Sequence, residues 1–97
     1  MVTIEIKAFN KDYLPPPVML NEWLSIWRPK LVGSIWGDAV YNNERAQITV
    51  TAGPIVPGAL PPVITADSIN AIIIPQINQY NQENQGLRAI TVVVVGQ

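Results

Sequence analysis

The chain has 97 residues, 48% of them apolar and 13% charged, with a formal net charge of −1 and neither cysteine nor histidine. That length supports one modest hydrophobic core, and the missing residue types exclude disulfides, thiolate chemistry, zinc–thiolate sites and imidazole-based acid–base catalysis. A charge content well below the roughly 25% usual for globular domains means a surface built from Asn, Gln, Thr and Pro, or one covered by a neighbour.

Residues 2–9 alternate, with Val2, Ile4, Ile6 and Ala8 on one side and Thr3, Glu5 and Lys7 on the other, which predicts a half-buried strand. Asn10 to Pro17 interrupts it, and Pro15, Pro16 and Pro17 stiffen the approach to the next element. From Val18 to Arg28 the period changes. Leu20, Trp23, Leu24 and Trp27 fall at i, i+3, i+4 and i+7, opposite Asn21, Glu22, Ser25 and Arg28, so an amphipathic helix is expected that ends or kinks at Pro29.

Residues 31–41 are ambiguous between a strand and a short helix starting at Pro29 and capped by Gly37; a strand is the preferred reading. Tyr41-Asn42-Asn43-Glu44 has the residues of a hairpin turn. Residues 45–52 alternate again, Ala46, Ile48, Val50 and Ala52 inward and Gln47, Thr49 and Thr51 outward. Gly53 to Ile64 then combines Pro54, Pro57, Pro61 and Pro62 with six aliphatic residues, an apolar arm expected to pack on something.

Thr65 or Asp67 can cap a helix striped by Ile69, Ile72, Ile73, Ile77 and Tyr80. Pro75 either kinks that helix or begins it, and the Asn/Gln-rich end, expected to stay wet, stops at Gly86. Leu87 to Val95 reads as a strand apolar on both faces. The order β-α-β-β-α-β predicts an α+β fold: one domain over residues 1–97, with a four-stranded, mainly antiparallel sheet and two helices in the split-βαβ, ferredoxin-like arrangement. In that topology the last strand is an edge, and a Val92–Val95 edge apolar on both faces is an aggregation hazard unless another chain or element covers it.

Little in this sequence suggests chemistry. The seven acids, Glu5, Asp12, Glu22, Asp38, Glu44, Asp67 and Glu83, are dispersed; solvated surface charge and helix capping account for them better than catalysis does. Ser25, Ser34 and Ser68 lack a nucleophile elbow. No metal-ligand spacing and no glycine-rich phosphate loop is present, so neither metal nor cofactor is expected. Lys7, Lys11, Arg28, Lys30, Arg45 and Arg88 are spread along the chain, and the outward residues of the two alternating strands include no ring on which a base could stack. Nucleic acid is therefore not an expected partner.

The start of the sequence lacks a basic segment followed by an apolar one, and no window approaches ~18 apolar residues. The expectation is cytoplasmic synthesis without membrane insertion. Trp23 and Trp27 are expected in the core. Trp36, between Gly33 and Gly37, is expected to face a partner, with Ile55, Val56, Leu60 and Val63 of the arm and Val93 and Val95 of the last strand. These features predict a non-catalytic structural subunit that contacts copies of itself, of the kind that builds a viral or phage virion, tail or connector. The alternative is a monomeric adaptor or inhibitor that grips a different protein through Trp36 and residues 53–64.

Overall fold

The alternation at the start of the chain becomes β1 (Val2–Lys7), which buries Val2, Ile4 and Ile6 and turns Thr3, Glu5 and Lys7 to the opposite face of a sheet. The computed structural model describes residues 1–53, 57–58 and 64–96. The arm residues Ile55, Val56, Leu60 and Val63 lie outside that set, and so does the expectation placed on them.

Pro17 opens α1 (Pro17–Trp27), where its missing N–H is one that no helical partner would have met. The helix buries Leu20, Trp23, Leu24 and Trp27, then tightens into a 3₁₀ turn over Arg28–Lys30 that accommodates Pro29. The expected strand within residues 31–41 forms as two short pieces, β2 (Ser34–Trp36) and β3 (Val40–Asn42), both paired with β4 (Arg45–Ala52). The hairpin turns at Asn43, whose φ of 54° is one that asparagine tolerates.

Between β2 and β3 the register changes. Trp36 opposes Val50 and Val40 opposes Gln47, so Gly37, Asp38 and Ala39 face only Ile48 and Thr49. This bulge requires close backbone approach: the Gly37 N–H donates to the Thr49 carbonyl at 2.8 Å, and a Cβ on Gly37 would lie 3.0 Å from Thr49 Oγ1.

Thr65 caps α2 (Ala66–Glu83) in a reciprocal box with Ser68. Pro75 neither starts nor ends this helix. It lies within it on the exposed side, and Ala71, whose carbonyl loses its N–H partner, is an exposed residue too. The last strand corrects the expectation in extent: β5 covers Thr91–Gly96, whereas Leu87 sits exposed in a 3₁₀ turn over Gly86–Arg88 and Ile90 is buried just before the strand. Gly86 at φ 71° turns the chain out of α2 before a strand can begin.

The sheet order is β2-β4-β1-β5 with β3 beside β4, antiparallel at each pairing. Counting β2 and β3 as one broken strand, this matches the expected ferredoxin-like order. Both helices pack on one face, over Ile4, Ile6, Ile48 and Val50. An aromatic series crosses this core. Trp36 to Trp27 is 6.0 Å between ring centroids, Trp27 to Trp23 5.8 Å, and Trp23 meets Tyr80 edge-on at 5.5 Å. The series joins β2 to α1 and α1 to α2, each contact contributing on the order of 1 kcal/mol beyond the area it buries.

Candidate functional site

Trp36 does not face a partner. It is 5% exposed, its ring packs on Trp27, and its Nε1–H donates to Ser34 Oγ at 2.8 Å. The flanking glycines serve backbone geometry instead. Gly33, at φ 85°, turns the chain, and its carbonyl accepts the Gly53 N–H at 2.6 Å. That indole is therefore buried; most of residues 53–64, the other half of the adaptor reading, lies outside the described residues.

Val93 and Val95 are at the surface. They are 58% and 59% exposed on the helix-free face, opposite Glu5 and Thr3 of β1, while Val92 and Val94 are half-buried on the other side. β5 pairs with β1 along one edge; among the described residues no strand pairs with its other edge. A free strand edge presents alternate N–H and C=O groups outward, a template for a further strand. Thr91 to Gly96 contains no charge and no proline, the two residue classes that commonly protect such an edge.

The helix-free face as a whole is polar at its centre and apolar at its margins. Thr3, Glu5, Gln47 and Thr49 occupy the middle, with Glu5 ion-paired to Arg45 at 3.3 Å; exposed Ile35 and Val40 flank them on one side and Val93 and Val95 on the other. No aromatic ring stands on this face of β1 or β4.

A second feature is an open cleft of about 290 Å³ at the far end of α2, lined by Asp12, Tyr13, Tyr80, Asn84 and Arg88 among others. Burial raises the Tyr80 phenol above its ordinary value and Arg88 pulls it back down; below that range it stays protonated and donates to the Tyr13 carbonyl at 3.4 Å. Asp12 and Arg88 are the acidic and basic side chains that line it. Among the described residues no three His, Cys, Asp or Glu side chains gather to hold a metal ion, and no helix is long and apolar enough to cross a membrane.

Comparison of the chain with protein-family models, curated proteins and solved structures finds no match.

Proposed function

We propose that this chain is a non-catalytic structural subunit that associates with copies of itself, made in the cytoplasm and built into a larger particle of the virion, tail or connector kind. The observation that carries the reading is the β5 edge: six uncharged residues, unpaired on one side among the described residues, with Val93 and Val95 exposed beside it. In a lone monomer this arrangement invites uncontrolled pairing, and a neighbouring subunit removes the hazard by occupying it. The low charge content supports the same reading, because a covered surface needs fewer ions to stay in solution.

Native mass measured at several protein concentrations tests it, on the natural chain and on a variant carrying both Val93→Lys and Val95→Lys. The expected result is a defined oligomer for the natural chain and a folded monomer for the variant. A natural chain that stays monomeric at every concentration overturns the proposal.

A further inference from the structure

Two contacts fix how α2 lies against β5. At one end a Cβ on Gly96 would come within 3.0 Å of the Ala66 nitrogen, so the start of the helix rests on the end of the strand. At the other, the Asn81 amide embraces Ile90, with Nδ2 donating to its carbonyl at 2.9 Å and Oδ1 accepting its N–H at 2.8 Å. From Ala66 to Asn81 a helix rises about 22 Å, and from Ile90 to Gly96 a strand extends about 20 Å. The helix therefore runs antiparallel along the strand, and Ile74, midway between the two contacts, stands level with the middle of β5.

The same contacts say which flank of α2 faces outward there. Ile69, Ile73 and Ile77 define the buried line. At about 100° per residue, Asn70, Ile74 and Asn81 fall within about 40° of one another on one side of that line. Asn81 is bonded to the residue that precedes β5, so this is the flank on the β5 side. Ile74 is 40% exposed. The edge thus has an apolar roof as well as an apolar floor.

We propose that the β5 edge is a two-fold interface, with β5 of one copy pairing antiparallel with β5 of a second and Ile74 meeting Ile74 across the axis. This deepens the self-association reading and rests on it. Three observations select a second copy in this orientation. Pairing centred on Val93 or Val94 sets valines against valines on the helix side and brings no charged residues together, because Thr91–Gly96 has none. The other edge of the sheet offers no continuous receptor strand, since β2 and β3 are three residues each and separated by the bulge at 37–39. Head-to-tail stacking of β5 on that edge is thereby disfavoured, and a closed, isologous pair remains. Finally, with α2 seated midway over β1 and β5, strands about 4.8 Å apart would put the facing copies of α2 about 10 Å apart, at the upper end of the usual 8–10 Å packing distance. The helix flank matters because a specific interface needs about 800 Å² per partner, more than one short strand supplies.

The cysteine-free sequence makes the test direct, since one introduced thiol is unique. Ile74→Cys, Val95→Cys and Ile35→Cys are prepared separately, checked for a native circular-dichroism spectrum and native mass, then treated with a bis-maleimide long enough to span about 15 Å, the most that separates the two copies of residue 95 when the pairing is centred on Val93 or Val94. Ile74→Cys and Val95→Cys are expected to be captured mostly as covalent dimers. Ile35→Cys is expected to stay uncaptured, because across this two-fold the two copies of Ile35 lie about seven strand spacings apart, roughly 34 Å. Capture through Ile35, or a chain of dimeric native mass that neither Ile74→Cys nor Val95→Cys captures, overturns this interface and leaves self-association standing. Monomeric native mass throughout removes both.

Discussion

At one edge of the sheet, β2 and β3 are three residues each, interrupted by Gly37-Asp38-Ala39 and tied down from both sides. Trp36 anchors the edge in the core, Arg28 reaches Asp38 at 3.8 Å, and the Tyr41 hydroxyl donates to the Pro15 carbonyl at 2.6 Å. At the other edge, β5 runs six residues with neither charge nor proline, and its valines are partly or largely open to solvent. Shortness, a bulge and a nearby charge are ordinary means of keeping a strand edge from pairing, and all three occur at the first edge. Their absence from the second is a difference within one fold of the same size and composition. It teaches that the first edge is closed off by its own side chains and bulge, whereas among the described residues the second has no such protection.

Substitutions at the two edges should separate accordingly. The largest effect is expected from Trp36→Ala, which removes the end of the aromatic series and should lower unfolding free energy by about 3–5 kcal/mol in urea titration. A loss under about 1 kcal/mol would return Trp36 to the surface. Next is Gly96→Ala, whose Cβ would press on Ala66 nitrogen. It should cost about 1–3 kcal/mol as α2 is lifted from β5, and an unchanged urea midpoint would show that helix and strand are not in register as described.

Tyr41→Phe should cost about 1 kcal/mol through the lost bond to Pro15. It should also change the alkaline limb of the stability curve. Burial raises the Tyr41 phenol above 10.0, so the folded state favours the protonated form. Its contribution is complete below the unfolded value and is lost as pH rises through the folded one. Urea midpoints measured upward from about pH 9 should therefore fall less steeply in Tyr41→Phe; identical slopes would place the loss in other groups. The smallest effect on the single subunit belongs to Val93→Lys with Val95→Lys, expected within about 0.5 kcal/mol at protein concentrations low enough for the natural chain to be dissociated, because both side chains then face solvent. If that pair instead unfolds the chain, β5 belongs to the core and the contrast between the edges disappears.

Much of this architecture is legible in residue spacing. The alternation at 2–8 and 45–52 and the i, i+3, i+4, i+7 stripe at 20–27 each needs only its own segment to be recognised, and each formed where expected. That the last strand lies at an edge was also legible, since the terminal strand of a split-βαβ sheet has one neighbour, but which of its two apolar faces is exposed was not. Nor was Trp36. Its flanking glycines look permissive in sequence, yet they allow the bulge and the turn that swing the indole inward. Leu87 failed for a related reason: the positive φ of Gly86 spends residues 86–88 on a 3₁₀ turn before pairing with β1 begins. For Pro75 the residue pattern left open whether it kinks the helix or begins it; the structure places it inside α2, on the exposed side.

By itself the sequence determined the alternating strands at 2–8 and 45–52, the helical stripe at 20–27 and that two residue types needed for much of catalysis are missing, because periodicity and composition are properties of the chain before it folds. Only the tertiary structure decided which tryptophans are inside, where the edge strand breaks, and that α2 lies along β5 with Ile74 over its middle. These depend on which backbones approach each other across the sheet, and burial is a relation between distant residues that no local pattern encodes.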